Sequence, residues 1–384
     1  MVNLALQSVL HAWRRYLPVA IAVGVSGLLI AAQLAIALGA ARSGAAPIEQ
    51  SGAILWAGPA DATSLETSAG LSPFAASQLW LDADVRRIEP WPEAQSLTLE
   101  SDDPESSAYE RQVTVLGLDV SEGALSFSRI IPPDLRRLLR EPGTVLIGRA
   151  DAARLGLAAG DRLRISGQPL RIIAVLPELR GLFSVQLLTS EATLRGLSSS
   201  GAAGGGAGAP SFYLMALRAG ASPATVAERL GNAGLGTEMR VWHAQELTAA
   251  TIRSWLFDSG IGMIFGVSAA MALGITLMVV NQTLGAAVAA SIREYAALRA
   301  YGIAFPSLQK IVVLQGLHVG LAALALTGLA SWLLIGALGR LNLPLSLPLP
   351  VAAAVGAVLM AVIMLSNLIA VRRLRKADPA GLLR

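Results

Sequence analysis

No cysteine occurs in this sequence, so no disulfide is available and nothing in it reports a redox compartment. Histidine is scarce, with only His11, His243 and His318, all far apart. No H-E-x-x-H or G-x-S-x-G pattern occurs, and "GVSGL" at Gly24 misses the second by one position. Nothing therefore points to a metal site or a hydrolase. Lysine is limited to Lys310 and Lys376, and neither follows a glycine. Without a Walker A lysine the chain has no nucleotide-hydrolysing motif of its own. Charge is sparse as well, at 15% of residues against 54% hydrophobic, with a mean hydropathy of +0.57. That balance excludes an ordinary soluble domain and places the chain in the membrane class.

Four apolar runs, uncharged apart from Asp258, carry the hydropathy: residues 17–41, 256–284, 311–338 and 349–371. Each is long enough to cross about 30 Å of hydrocarbon at about 1.5 Å per residue. The first exceeds the apolar core of a secretory signal, and three more follow, so it reads as a retained anchor. Between Ala41 and Trp255 there are 19 Arg against 23 acidic residues, a net charge of −4. The rest of the chain holds 9 Arg and 2 Lys against 3 acids, a net of +8. This excess lies at Arg14 and Arg15, in the stretch 291–310, and at Arg372, Arg373, Arg375 and Lys376; residues 339–348 contain only Arg340. The positive-inside rule then puts both termini and residues 285–310 in the cytoplasm, and the large domain, 42–255, outside. A pI of 9.8 describes these membrane flanks and implies no nucleic-acid partner.

The expected architecture is an α-helical membrane protein of four transmembrane helices. A mixed α/β extracytoplasmic domain of two subdomains is inserted between helices 1 and 2. Residues 1–16 read as an amphipathic elbow helix, with Leu6, Val9, Leu10 and Trp13 on one face. In the large domain, "RQVTVLGLDV" reads as a strand. The stretch 143–177 reads as strand, short helix, Gly160-Asp161 turn and a hairpin through Ser166, Gly167 and Gln168. "SFYLMALRAG", a helix opened by Ser222-Pro223, and "TEMRVW" form a strand-helix-strand unit. The Gly/Ser-rich stretch 197–210 reads as a loop. After His243 a helix runs into the second span, which predicts one continuous rigid lever. Residues 372–384 form a basic cytoplasmic tail.

Inside the spans, Gln33, Asn281, Gln282, Gln315, His318 and Asn367 read as hydrogen bonds between packed helices. The pairs Gly262/Gly266 and Gly316/Gly320 permit close helix approach. Between the second and third spans, "SIREYAALRAYGIAFPSLQK" is charged yet helix-forming. On a helical wheel Glu294, Leu298, Tyr301 and Phe305 share one stripe, with Ile292, Tyr295 and Arg299 beside it. Gly302 can close this helix and Pro306 prevents its simple continuation. Such a surface suits either an interfacial linker or docking into a groove on a soluble partner.

This segment resembles the cytoplasmic coupling segment of ABC-transporter permeases of the MacB/LolC/FtsX type, matched at Arg293, Glu294, Ala296, Leu298, Arg299, Ala300 and Gly302. The segment entering span two and the tail "AVRRLRKADPAGLLR" are similar to the DevC branch, and "GLAAGDRLRISGQPLRIIAVLP" resembles the periplasmic core domain. The resemblance implies a non-catalytic permease subunit in the bacterial inner membrane, with a second permease copy and a separate dimeric ABC ATPase that binds ATP and Mg. It implies ATPase coupling through Arg293, Glu294, Leu298, Arg299, Tyr301 and Gly302, and no cofactor on this chain. It further implies export of an amphiphilic or lipid-like substrate through a periplasmic membrane-fusion adaptor and a TolC-like outer-membrane channel. The alternative within this resemblance is an FtsX-like signalling subunit that regulates a periplasmic cell-wall enzyme.

Overall fold

The computed structural model describes residues 7, 11, 13–66, 70–72, 74–100, 111–179, 185–200, 209–232, 239–290, 305–340 and 345–376. The first helix whose bounds fall among the described residues is α1 (Trp13–Gln50), which includes Trp13 of the expected elbow; Leu6, Val9 and Leu10 lie outside the described residues. At about 1.5 Å per residue, its 38 residues reach about 57 Å, well beyond the expected end at residue 41. Tertiary packing explains the extra turns. Ala41, Ala45 and Ile48 repeat at i, i+4 and i+7 and all three are buried, Ile48 in one cluster with Trp56, Phe212 and Leu247 of the domain that follows.

That domain contains β1 (Leu55–Pro59), α2 (Ala75–Leu79), β2 (Val85–Pro90), β3 (Glu93–Glu100), β4 (Arg111–Leu118) and α3 (Pro133–Leu138). It continues with β5 (Thr144–Gly148), α4 (Arg149–Leu155), β6 (Arg162–Ile165), β7 (Gln168–Leu176), β8 (Val185–Ser190) and α5 (Glu191–Ser200). It closes with β9 (Tyr213–Leu217), α6 (Pro223–Asn232), β10 (Met239–His243) and α7 (Ala244–Phe257). Among the described residues the strands form two bodies. One is a four-stranded antiparallel sheet in the order β10-β1-β9-β2, and the other a closed barrel in the order β3-β4-β8-β5-β7-β6. The barrel is an insertion between β2 and β9, so the sheet closes only when the chain returns.

Each body has its own core. Val113, Val115, Ile147, Ile165 and Ile172 fill the barrel, while Leu55, Leu79, Met215 and Val226 lie under the sheet. The β6–β7 hairpin turns at Ser166 (φ 49°) and Gly167 (φ 81°), with Ile165 opposite Gln168. Positive φ at both turn residues is the type I′ geometry that matches strand twist. The strand-helix-strand unit β9-α6-β10 also forms, with β1 between its two strands.

Sheet and barrel are tied by a buried carboxylate. Glu89 of β2 accepts hydrogen bonds from the N–H groups of Leu125 and Ser126, the latter at 3.0 Å, and is 1% exposed. Arg136 of α3 donates to the carbonyls of Asp119, at 2.6 Å, and Ser126, while Arg87 of β2 pairs with Asp119 at 2.8 Å. Three long helices complete the chain: α8 (Ile261–Ala290), α9 (Phe305–Arg340) and α10 (Leu349–Lys376).

The expected continuous lever is interrupted. α7 ends at Phe257, and the N–H groups of Asp258 and Ser259 both return to the carbonyl of Ser254, at 2.8 and 3.0 Å. Gly260 then takes φ +74°, a conformation open to glycine at little cost, before α8 begins. Residues 256–260 therefore belong to a helix end and a turn.

Glu89→Ala removes the acceptor for two buried N–H groups and the charge that lies 3.7 Å from Arg87 Nε. We expect a loss of stability of about 3 kcal/mol, read as a shifted urea midpoint in tryptophan fluorescence.

Candidate functional site

The candidate coupling residues Arg293, Glu294, Leu298, Arg299, Tyr301 and Gly302 lie outside the described residues. The helices on either side bound the stretch: α8 continues to Ala290, and α9 starts at Phe305, earlier than expected. Pro306 is the second residue of α9, where its missing N–H removes no helical bond.

Among the described residues four helices are long and apolar enough to cross a membrane. Their packing can be built from glycines. A Cβ on Gly316 would meet Asn367 Nδ2 at 1.9 Å, and one on Gly320 would meet Met360 Sδ at 2.9 Å, so both glycines of α9 admit side chains of α10. Asn367, fully enclosed, donates from Nδ2 to the carbonyl of Val312 at 2.9 Å. The absent side chain at Gly316 thus makes room for a polar contact between helices. Gly266 differs: nothing within 4 Å would meet its Cβ. Gly262 lies in the first turn of α8.

The contacts of α1 come from two glycines that motif reading did not select. Gly24 lies against Leu326, and Gly27 against Thr327 and Leu359. Their i, i+3 spacing of small residues was the available signal. Tyr16 donates to Gln315 Oε1 at 3.4 Å, and Gln33 donates to Ser268 Oγ at 2.7 Å, both between helices. His318 Nδ1 instead lies 2.6 Å from the carbonyl of Leu314, one turn back on its own helix. Asn281 Oδ1 is buried with no partner among the described residues.

A second feature lies in the α/β domain. The end of α1, the sheet and the barrel border a cleft of about 800 Å³, reached by Gly44 and Pro47 of α1, Tyr213 of β9 and Thr114 of β4. Four carboxylates line it, those of Glu66, Glu93, Asp119 and Glu191, and among the described residues no Lys or Arg does. Loss of water around the Glu66 carboxyl pushes its pKa up, and the indole N–H of Trp255 partly offsets this. For Asp119 burial also acts upward, but Ser121 and the Arg87 guanidinium together hold it below the usual carboxylate range.

Trp255 links the cleft to the helices. Its ring fills the space beside Gly44, where a Cβ would fall 2.3 Å from Nε1. Glu66, α7 and α1 are therefore in one packed group. Among the described residues no group of three His, Cys, Asp or Glu side chains could hold a metal ion.

Residues 19–233 match the profile of the MacB-like periplasmic core domain, and residues 252–379 that of the FtsX-like permease C-terminal domain. No curated protein matches the chain. Among solved structures, the periplasmic region of MacB from Actinobacillus actinomycetemcomitans is similar at 12% identity and a TM-score of 0.34, over 53% of this chain and 94% of that one. A domain of a protein described as a permease from Porphyromonas gingivalis is similar at 17% identity and a TM-score of 0.30, over 49% of this chain and 87% of that one.

Gly316→Leu would drive a side chain into Asn367. We expect it to destabilise the helical unit by about 1–3 kcal/mol, seen as a lower thermal midpoint in detergent, while Gly266→Leu leaves that midpoint within error.

Proposed function

The chain belongs to the permeases that join a MacB-like periplasmic core domain to an FtsX-like C-terminal membrane module, and from this membership we propose that it is the permease subunit of an ATP-driven mechanotransmitting exporter. The observation that carries the reading is the combination of four apolar helices, a large α/β domain between the first and second, and an FtsX-like match that runs through residues 291–304. In this reading the chain is a multipass protein of the bacterial inner membrane with its termini in the cytoplasm. Two copies work with a separate ATPase dimer that holds ATP and Mg.

The ATPase docks on the cytoplasmic segment through Glu294, Leu298, Arg299 and Tyr301, and Arg293 and Gly302 complete the coupling residues. Its closure moves this segment relative to the bilayer. α1 runs from the spans into the α/β domain without interruption, so displacement along it reaches Gly44 and the cleft beyond. The turn at Gly260 lets α7 and α8 change direction without breaking helical hydrogen bonds. The domain then drives an amphiphilic or lipid-like substrate outward, through an adaptor and an outer-membrane channel. Such coupling requires that the ATP-bound ATPase contact the two permease conformations unequally, because equal affinity shifts no equilibrium.

The reading is tested at the cytoplasmic segment. The double variant Glu294→Arg, Leu298→Asp should insert normally and lose copurification with its partner ABC ATPase. Normal copurification and ATP-dependent transport in that variant would refute the assignment.

A further inference from the structure

The cleft of the α/β domain is larger and more one-sided in charge than packing alone requires. About 800 Å³ is the volume of a site for a drug-sized molecule. Of its four carboxylates, Asp119 is paired with Arg87 at 2.8 Å, and Glu191 lies 3.9 Å from Arg195. Glu66 and Glu93 have no such neighbour: among the described residues no basic side chain lies within 4.0 Å of either. Two carboxylates without counter-ions among the described residues, in a cleft whose described lining holds no Lys or Arg, produce a negative potential, and the low-dielectric walls strengthen it. An anionic ligand is repelled there.

Part of the remaining wall is polar, with Ser43, Thr114, Gln186 and Ser211, and part is apolar, with Pro47, Leu65, Pro90 and Leu116 lining the same space. A single metal ion would leave most of this volume and all of the apolar wall unused. A small polyvalent cation would meet the acids and leave the hydrocarbon surface wet. The combination fits one molecule with a cationic end and an apolar body.

We propose that this cleft binds a cationic amphiphile, whose ammonium or guanidinium head is taken by Glu66 and Glu93 and whose hydrocarbon part lies against Pro47, Leu65 and Leu116. The location gives binding a mechanical output. Glu66 is next to Trp255 of α7, and Trp255 lies on Gly44 of α1, so an occupant that draws on Glu66 acts on the contact between both helices. This inference deepens the export reading by naming a substrate class. Its test involves no ATPase, so either reading can fail while the other stands.

The full chain in phosphatidylcholine nanodiscs is dialysed to equilibrium against radiolabelled decyltrimethylammonium, with empty nanodiscs subtracted. We expect one saturable site, not competed by decyl sulfate or decyl maltoside. The double variant Glu66→Gln, Glu93→Gln should bind at least about tenfold more weakly, as the loss of two charge contacts predicts. Glu228→Gln, an exposed carboxylate outside the cleft, should bind as the parent does. If the double variant loses its cooperative thermal transition, Gln186→Lys, which brings a cation to the cleft wall, serves instead and should weaken binding to a similar extent. Binding that is equal for the anionic or neutral amphiphile, that never saturates above empty discs, or that is unchanged in folded cleft variants overturns the proposal.

Discussion

Hydrocarbon offers no partner to a backbone N–H or C=O group, so every peptide unit inside it must be satisfied within its own segment. This constraint governs the helical unit and, through α1, the domain beyond. Because each helix meets its backbone needs alone, side chains are left to decide which helices approach. Here the deciding positions carry almost no side chain: Gly24, Gly27, Gly316 and Gly320 admit Leu326, Thr327, Asn367 and Met360. Polar groups are few and mostly local or paired, as with Gln33 and Ser268. The same hydrogen-bond ladder then continues to Gln50, where the hydrocarbon rule no longer applies and burial of Ala41, Ala45 and Ile48 takes over.

The α/β domain solves a different problem. A barrel inserted into a sheet could swing freely about the two chain crossings that connect them. Glu89 opposes this by joining a sheet strand to the backbone at Leu125 and Ser126, and Arg87 and Arg136 close the ring of contacts through Asp119 and Ser126. Trp91, in the crossing itself, has its ring centre 5.2 Å from that of Trp56 and 5.9 Å from that of Phe127. Polar and aromatic contacts thus fix the same joint from two sides. The cleft beside it owes its shape to that fixation.

Much of this was readable from residues in order. Uncharged runs of span length mark membrane helices without any need for partners, and the stretch 143–177 carries its own turn signals at Gly160 and Ser166-Gly167. The end of α1 was not readable, because "RSGAAPIEQ" has the composition of a loop and becomes helix through contacts made far away in sequence. The stop at Asp258-Ser259-Gly260 was signalled locally and is overridden only if hydropathy is weighed alone. Asn367 illustrates the limit: its type is visible in the sequence, while its cavity is supplied by Gly316, fifty-one positions earlier. The cleft is in the same position, since Glu66, Glu93 and Glu191 line one space only after the barrel has been inserted and the sheet closed. The coupling segment came from resemblance, and its own periodicity left a linker equally open.

The order of strands in the sheet sets how the domain can be loaded. α1 enters β1 at Leu55, α7 leaves β10 at His243, and these two residues face one another as register partners at one end of the ladder that runs to Pro59 and Met239. Pulling the two helices apart would act on that ladder in the unzipping direction, where its bonds fail one after another rather than sharing tension in shear. The sheet therefore tolerates a push or tilt that carries both helices as a pair, and it is weakest against any stroke that spreads them.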